Sequence, residues 1–264
     1  MPATTVNNVT LNYREVGDRD KPPVLLAHTV LWGAEVFAPL IAALAPDFYI
    51  IDTDLHGHGE SSYRTPLTIA EMAADYQQLL TQLGLSQVTW IGYSLGSMIG
   101  LHLAIQQPTL FDRLVLMATN ARSDASPLSA QTRQLWDLFR AGHREDVVDA
   151  AMPLFFGKAT WQQQPHLVAQ YRQRAINMQE VEGIYQAALA SAAPRDLMDQ
   201  LGAICAKSLI IAGREDMTAT PAEAEAIAAN IPGAQLAIVE ESSHLLLVEK
   251  PQEVVQIIHD FLRQ

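Results

Sequence analysis

The sequence predicts an α/β fold, a mostly parallel eight-stranded sheet flanked by helices and interrupted by an inserted helical lid. Three observations carry this. Short apolar runs without a polar alternate face recur along the chain, as strands buried on both faces require. Helix-like segments separate these runs, so the strands join through crossovers. The alternation stops between about residues 121 and 206, where amphipathic helical segments follow one another with no strand-like run.

The elements follow in order. Residues 4–13 read as a hairpin, with Asn7-Asn8 as its turn because asparagine tolerates the left-handed conformation. Buried strands are expected at 24–27, 48–51, 88–91, 114–117, 208–212 and 236–239. Helices are expected at 34–45, 68–83, 95–107, 221–230 and 251–262. Thr68 and Glu71 have capping-box spacing, and Pro221 and Pro251 suit a first helical turn. Within the insertion, helical periodicity covers 129–141, 144–156, 164–177 and 180–190, with a break at Ala193-Pro194. The expected organisation is a core of 1–120 and 207–264 carrying a helical cap of 121–206.

Hydrophobic residues make up 49% of the chain and charged residues 17%, which suits a packed globular protein and excludes a disordered one. The formal net charge of -12 argues against nucleic acid, whose phosphates need clustered Lys and Arg, and against anionic membrane surfaces. The first residues lack a basic stretch followed by an apolar run, and no stretch is long and apolar enough to span a bilayer. The expectation is a cytoplasmic protein, monomer or homo-oligomer. Cys205, the single cysteine, reads as a small core residue. With no Cys/His cluster, neither a metal nor a cofactor is expected.

The strongest local signal is Gly92-Tyr93-Ser94-Leu95-Gly96, set between an apolar strand and a helix. In that context the pattern is a nucleophile elbow: a strained turn lifts the serine hydroxyl above the sheet, and the glycines keep side chains out of the crossing. A serine hydroxyl needs a base, and the base needs an acid to fix its tautomer. On sheets of this kind the order along the chain is serine, acid, histidine. His244 lies in the loop after the last strand and is the expected base. Asp216 follows the strand 208–212 and is the expected acid, with Glu215 its rival. The remaining histidines take lesser parts. His28 precedes the serine and is read as shaping the loop near the oxyanion site. His56 and His58 are read as loop structure, His102 as a packed or surface helix residue, and His143, His166 and His259 as surface.

With these residues in place, the chain resembles the α/β-hydrolase superfamily over nearly its whole length. The resemblance rests on Asp54-Leu55-His56-Gly57-His58-Gly59-Glu60-Ser61, the Ser94 elbow, Gly213-Arg214-Glu215-Asp216 with Pro221, and Ser243-His244. It is similar to the small, lidded branch of carboxylesterases, enol-lactonases, carbon-carbon bond hydrolases and cofactor-free haloperoxidases. The resemblance implies an oxyanion hole made by the backbone N–H groups of Leu95 and, by position, Val30. Relatives usually have His-Gly in the second loop, whereas this chain has His28-Thr29-Val30, so a reshaped loop or a Thr29 hydroxyl facing the pocket is expected. Trp32, Tyr93, Met152, Phe155, Phe156, Trp161 and Met178 are the expected pocket walls, with Thr29 beside them. The expected function is an esterase for small to medium apolar esters. Lactone or carbon-carbon hydrolysis, perhydrolysis and a low-turnover ligand receptor are the alternatives.

Overall fold

The structure is a computed structural model and describes residues 2–122, 127–192 and 195–264, the side chains of 127–130 excepted. The sheet has eight strands: β1 (Ala3–Val6), β2 (Val9–Val16), β3 (Pro23–Ala27), β4 (Tyr49–Thr53), β5 (Val88–Tyr93), β6 (Phe111–Met117), β7 (Lys207–Gly213) and β8 (Gln235–Val239). Their spatial order is β1-β2-β4-β3-β5-β6-β7-β8. The β1–β2 and β2–β4 pairs are antiparallel and the rest are parallel. The hairpin turn falls at Asn7 and Asn8, at φ 47° and 67°, which only a turn with two left-handed residues demands.

Helices cover both faces. On one lie α2 (Ile69–Gln82), α3 (Leu95–Gln106) and α9 (Pro221–Asn230), which supply Tyr76, Leu79, Ile99, Leu103 and Ile227 to one apolar core. On the other lie α1 (Ala38–Leu44) and α11 (Pro251–Leu262), which bury Leu40, Leu44, Val254 and Ile258 in a second core. Strand residues alternate between these cores: Leu25 and Ile51 enter the first, Leu26 and Ile50 the second. This is why the strands read as continuous apolar runs. The capping box at Thr68 and Glu71 forms as expected, and a second forms at Thr220 and Glu223.

Between β6 and β7 run α4 (Pro127–Arg140), α5 (Arg144–Phe155), α6 (Lys158–Gln163), α7 (Pro165–Asn177) and α8 (Val181–Ala192). The expected break at Ala193-Pro194 lies outside the described residues. Two short α-helices carry no mark in the periodicity: α6, of six residues, and α10 (Leu246–Glu249), of four. Neither is long enough to display a repeat. The expected helix at 34–45 divides into a 3-10 turn, Ala34–Phe37, and α1. Pro39 explains the division, because it lacks an N–H and its ring crowds the preceding turn.

Cys205 corrects a sequence expectation: it is exposed, not a core residue. The chain enters β7 extended, so Ile204, Ala206 and Ser208 turn inward while Cys205 and Lys207 turn out. Among the described residues no helix is long and apolar enough to cross a membrane, and no group of His, Cys, Asp and Glu is arranged to hold a metal ion.

Candidate active site

Ser94 stands between the end of β5 and the start of α3 with φ 50° and ψ -109°. A non-glycine residue there is strained, and the surroundings impose the strain. The Ser94 N–H donates to the Met117 carbonyl at 2.8 Å, and its own carbonyl accepts from Met98 at 3.0 Å. Helix α3 crosses so close to the sheet that a Cβ at Gly96 would run into the Ala27 carbonyl, and one at Gly92 would meet the backbone of Gly96 and Ser97. The glycines of the elbow are thus required by close approach. Neither has a positive φ.

Three strand ends bring the polar groups together. His244 Nε2 lies 3.1 Å from Ser94 Oγ, and His244 Nδ1 lies 2.8 Å from Asp216 Oδ2. The carboxylate fixes the proton on Nδ1 and leaves the Nε2 lone pair toward the serine hydroxyl. Asp216 is 3% exposed and His244 5%, so water does little to weaken the pair. Burial alone would raise the Asp216 pKa. The His244 charge and hydrogen bond, with the N–H groups of Ala219 and Thr218, outweigh burial and hold it below the usual carboxylate value. Glu215, the rival acid, is engaged elsewhere: its Oε2 accepts the Lys158 N–H at the start of α6.

Thr218 was not singled out from sequence. Its hydroxyl and N–H both donate to Asp216 Oδ1 at 2.8 Å, and its oxygen lies 2.8 Å from His244 Nδ1. The available signal was the Asp-x-Thr spacing, which permits the aspartate to accept an N–H two residues on.

Leu95 opens α3, so its N–H lacks an intrahelical acceptor. Among the described residues neither the Leu95 nor the Val30 N–H has a backbone acceptor. The loop carrying Val30 is tied to the elbow, since the Gly96 N–H donates to the His28 carbonyl at 3.1 Å. His28 is fully buried and neutral: Nδ1 donates to the Thr29 carbonyl and Nε2 accepts the Leu55 N–H. Burial, with the adjacent His58, pushes its pKa down to about 3. The left-handed residue of this loop is Leu31, at φ 77°, not Thr29. Thr29 is buried, and its hydroxyl donates to the Val30 carbonyl at 3.3 Å.

The expected pocket walls separate into groups. Phe155 and Tyr93 lie against His244, and Trp32 packs against Phe155. Trp32 and Phe155 stack edge to face at 4.7 Å, Phe155 lies 5.6 Å from the His244 ring, and the Tyr93 hydroxyl donates to the His244 carbonyl at 2.7 Å. Met152 and Phe156 sit one helical turn apart and are buried in the core, with Phe156 against Tyr171 of α7. Trp161 is 41% exposed on α6. Met178 lines a cavity of about 380 Å³ together with Leu31, Gly33, His58 and Ile184. That cavity also carries Arg14, Glu35, Asp52, Asp54, Arg174 and Glu180. A second cavity of about 330 Å³ runs from Gly57 to Gly183 between the 57–63 loop and the start of α8. The remaining histidines are placed simply. His56 is buried against Asp75 at 2.8 Å, His58 and His102 are buried, His143 and His166 are exposed, and His259 is half-buried.

Known proteins agree with this architecture. Residues 22–251 match the family described as the alpha/beta hydrolase fold. The chain is 28% identical over 257 residues to a Rhizobium rhizogenes protein named "Putative carbamate hydrolase RutD", covering 94% of this chain and 97% of that protein. A thermophilic esterase from Thermogutta terrifontis superposes with a TM-score of 0.89 at 27% identity, covering 99% of this chain and 96% of that one. The enol-lactonase from Burkholderia xenovorans LB400 also reaches 0.89, at 26% identity and 100% coverage of both chains. The matched span contains the elbow, the acid loop and the histidine loop, so the chain belongs to the alpha/beta hydrolase fold family.

Proposed function

We propose that this chain is a serine hydrolase that cleaves carboxylic esters of small to medium apolar substrates through an acyl-enzyme. The observation that carries the reading is the unbroken hydrogen-bonded row from Ser94 Oγ through His244 to Asp216. Ser94 Oγ attacks the ester carbonyl carbon while His244 Nε2 takes its proton. Asp216 stabilises the imidazolium, and the N–H groups of Leu95 and Val30 receive the oxyanion. The C–O bond then breaks, and His244 returns its proton to the departing alcohol. Water, deprotonated in turn by His244, attacks the acyl carbon, releases the acid and restores Ser94. The Phe155 ring beside His244, with Trp32 packed against it, favours an apolar group there. A lactone is the second reading, because a lactone is a cyclic ester and an enol-lactonase is among the similar structures.

Turnover of p-nitrophenyl esters of graded chain length tests the proposal. Ser94→Ala is expected to lower kcat on the order of 10⁴- to 10⁶-fold. Unchanged turnover in that variant rejects the proposal.

A further inference from the structure

The loop that carries His244 is held by the inserted helices as well as by the sheet. The Leu245 N–H donates to the Phe155 carbonyl at 2.9 Å, and the Ser243 hydroxyl donates to the Leu154 carbonyl at 2.8 Å, both at the C-terminal end of α5. A buried carboxylate completes the hold. Glu249 is 3% exposed and ends the short helix α10. Its Oε1 accepts the Ser243 N–H at 2.7 Å. Its Oε2 accepts the Gly157 N–H at 2.7 Å and the Thr160 hydroxyl at 2.6 Å. One side chain therefore joins the residue before His244 to the start of α6, some 90 residues earlier in the chain.

We infer that Glu249 is a positioning residue, which sets His244 against Ser94 by fastening its loop to α6. The inference rests on the serine-hydrolase reading, and the geometry favours it in three ways. Both carboxylate oxygens are engaged, and the three partners are all donors, so no neutral isostere satisfies them together. Charge-assisted bonds of this kind are short and directional, which suits a group that must fix a distance. The Tyr93 hydroxyl holds the His244 carbonyl from the sheet side, so the histidine backbone is gripped from two directions. As a consequence, the start of α6 and the end of α5 help to fix the position of His244.

Glu249→Gln keeps the volume but turns an amide NH₂ toward one set of donors. The expected result is a folded protein whose kcat falls about tenfold or more while KM changes by less than about twofold. Its His244 Nδ1–H signal, a low-field proton resonance hydrogen-bonded to Asp216, moves or broadens. Thr160→Val removes one bond at the α6 side and serves if Glu249→Gln does not fold. It is expected to lower kcat in the same sense, and to add nothing further in a Glu249→Gln background. If both single variants keep wild-type kcat once the folded fraction is accounted for, or leave the His244 signal unmoved, the inference is overturned. The resonance is read without turnover. A wild-type enzyme with no hydrolase activity would therefore defeat the functional proposal while the resonance still decided the role of Glu249.

Discussion

His244 Nδ1 meets two oxygens: the Asp216 carboxylate at 2.8 Å and the Thr218 hydroxyl at 2.8 Å. The two acceptors do different work, because only the carboxylate carries charge. Asp216→Asn should drop kcat by about 10³- to 10⁴-fold, since an amide there allows the wrong tautomer of His244. Thr218→Val should cost far less, about three- to tenfold, because the carboxylate still orients the ring. Single-turnover rates on one chromogenic ester separate the two, and equal losses in both variants would contradict this division. The meeting of Ser94, Asp216 and His244 was legible because each follows the end of a strand in the expected order. Thr218 and Glu249 were not, because the Asp-x-Thr spacing is a weak mark common to many loops and a glutamate in a four-residue helix has no periodic one. The Leu31 conformation was missed for a related reason: the His28-Thr29-Val30 departure pointed at Thr29, while the chain placed its left-handed residue two positions later.

At the scale of elements, the acid loop shows how local signals fix a site. β7 delivers Gly213, the loop turns through Asp216, and Thr220 with Glu223 caps α9. The Thr220 side chain accepts the Glu223 N–H, and Pro221 occupies the first turn where no N–H is needed. Thr220→Ala should lower stability by about 1 kcal/mol, with kcat within about twofold of wild type, because the Asp216 hydrogen bonds do not pass through Thr220. Urea denaturation followed by circular dichroism measures the first part, and steady-state kinetics the second. The strands and long helices were readable from period and punctuation. The six-residue α6 was not, although it supplies Thr160 to the Glu249 contact. Short elements held by tertiary contacts leave little trace in sequence.

For the whole molecule, acidity should act through buried histidines. Burial, the largest influence, lowers His58 to about 4 and His28 to about 3, against 6.5 in an exposed ring. Both therefore stay neutral in the folded protein while the unfolded chain takes up protons. The stability they contribute is complete above about pH 6.5. It falls as pH drops toward their folded values, by up to about 1.4 kcal/mol per pH unit for each. Asp52, which burial raises to about 6, works in the opposite direction between about pH 6 and 4 and offsets part of the loss. Carbon NMR shifts of the imidazole rings at about pH 5 should report neutral His28 and His58 in the folded protein. Protonated rings at both positions in the folded protein would contradict this. The overall topology was legible because crossovers have one hand and the apolar runs mark both cores. The charged cavity was not, because Arg14, Asp52, His58 and Arg174 meet only through the folding of distant segments.

Covalent acylation of Ser94 during turnover is what most separates the proposed mechanism from its rivals. Acid quenching of the enzyme with a p-nitrophenyl ester, followed by peptide mass mapping, detects it. One acyl group should appear on the peptide containing Ser94, at Ser94 itself, and vanish in Ser94→Ala. An acyl group on another residue, or turnover with no acylated protein at any quench time, would contradict it.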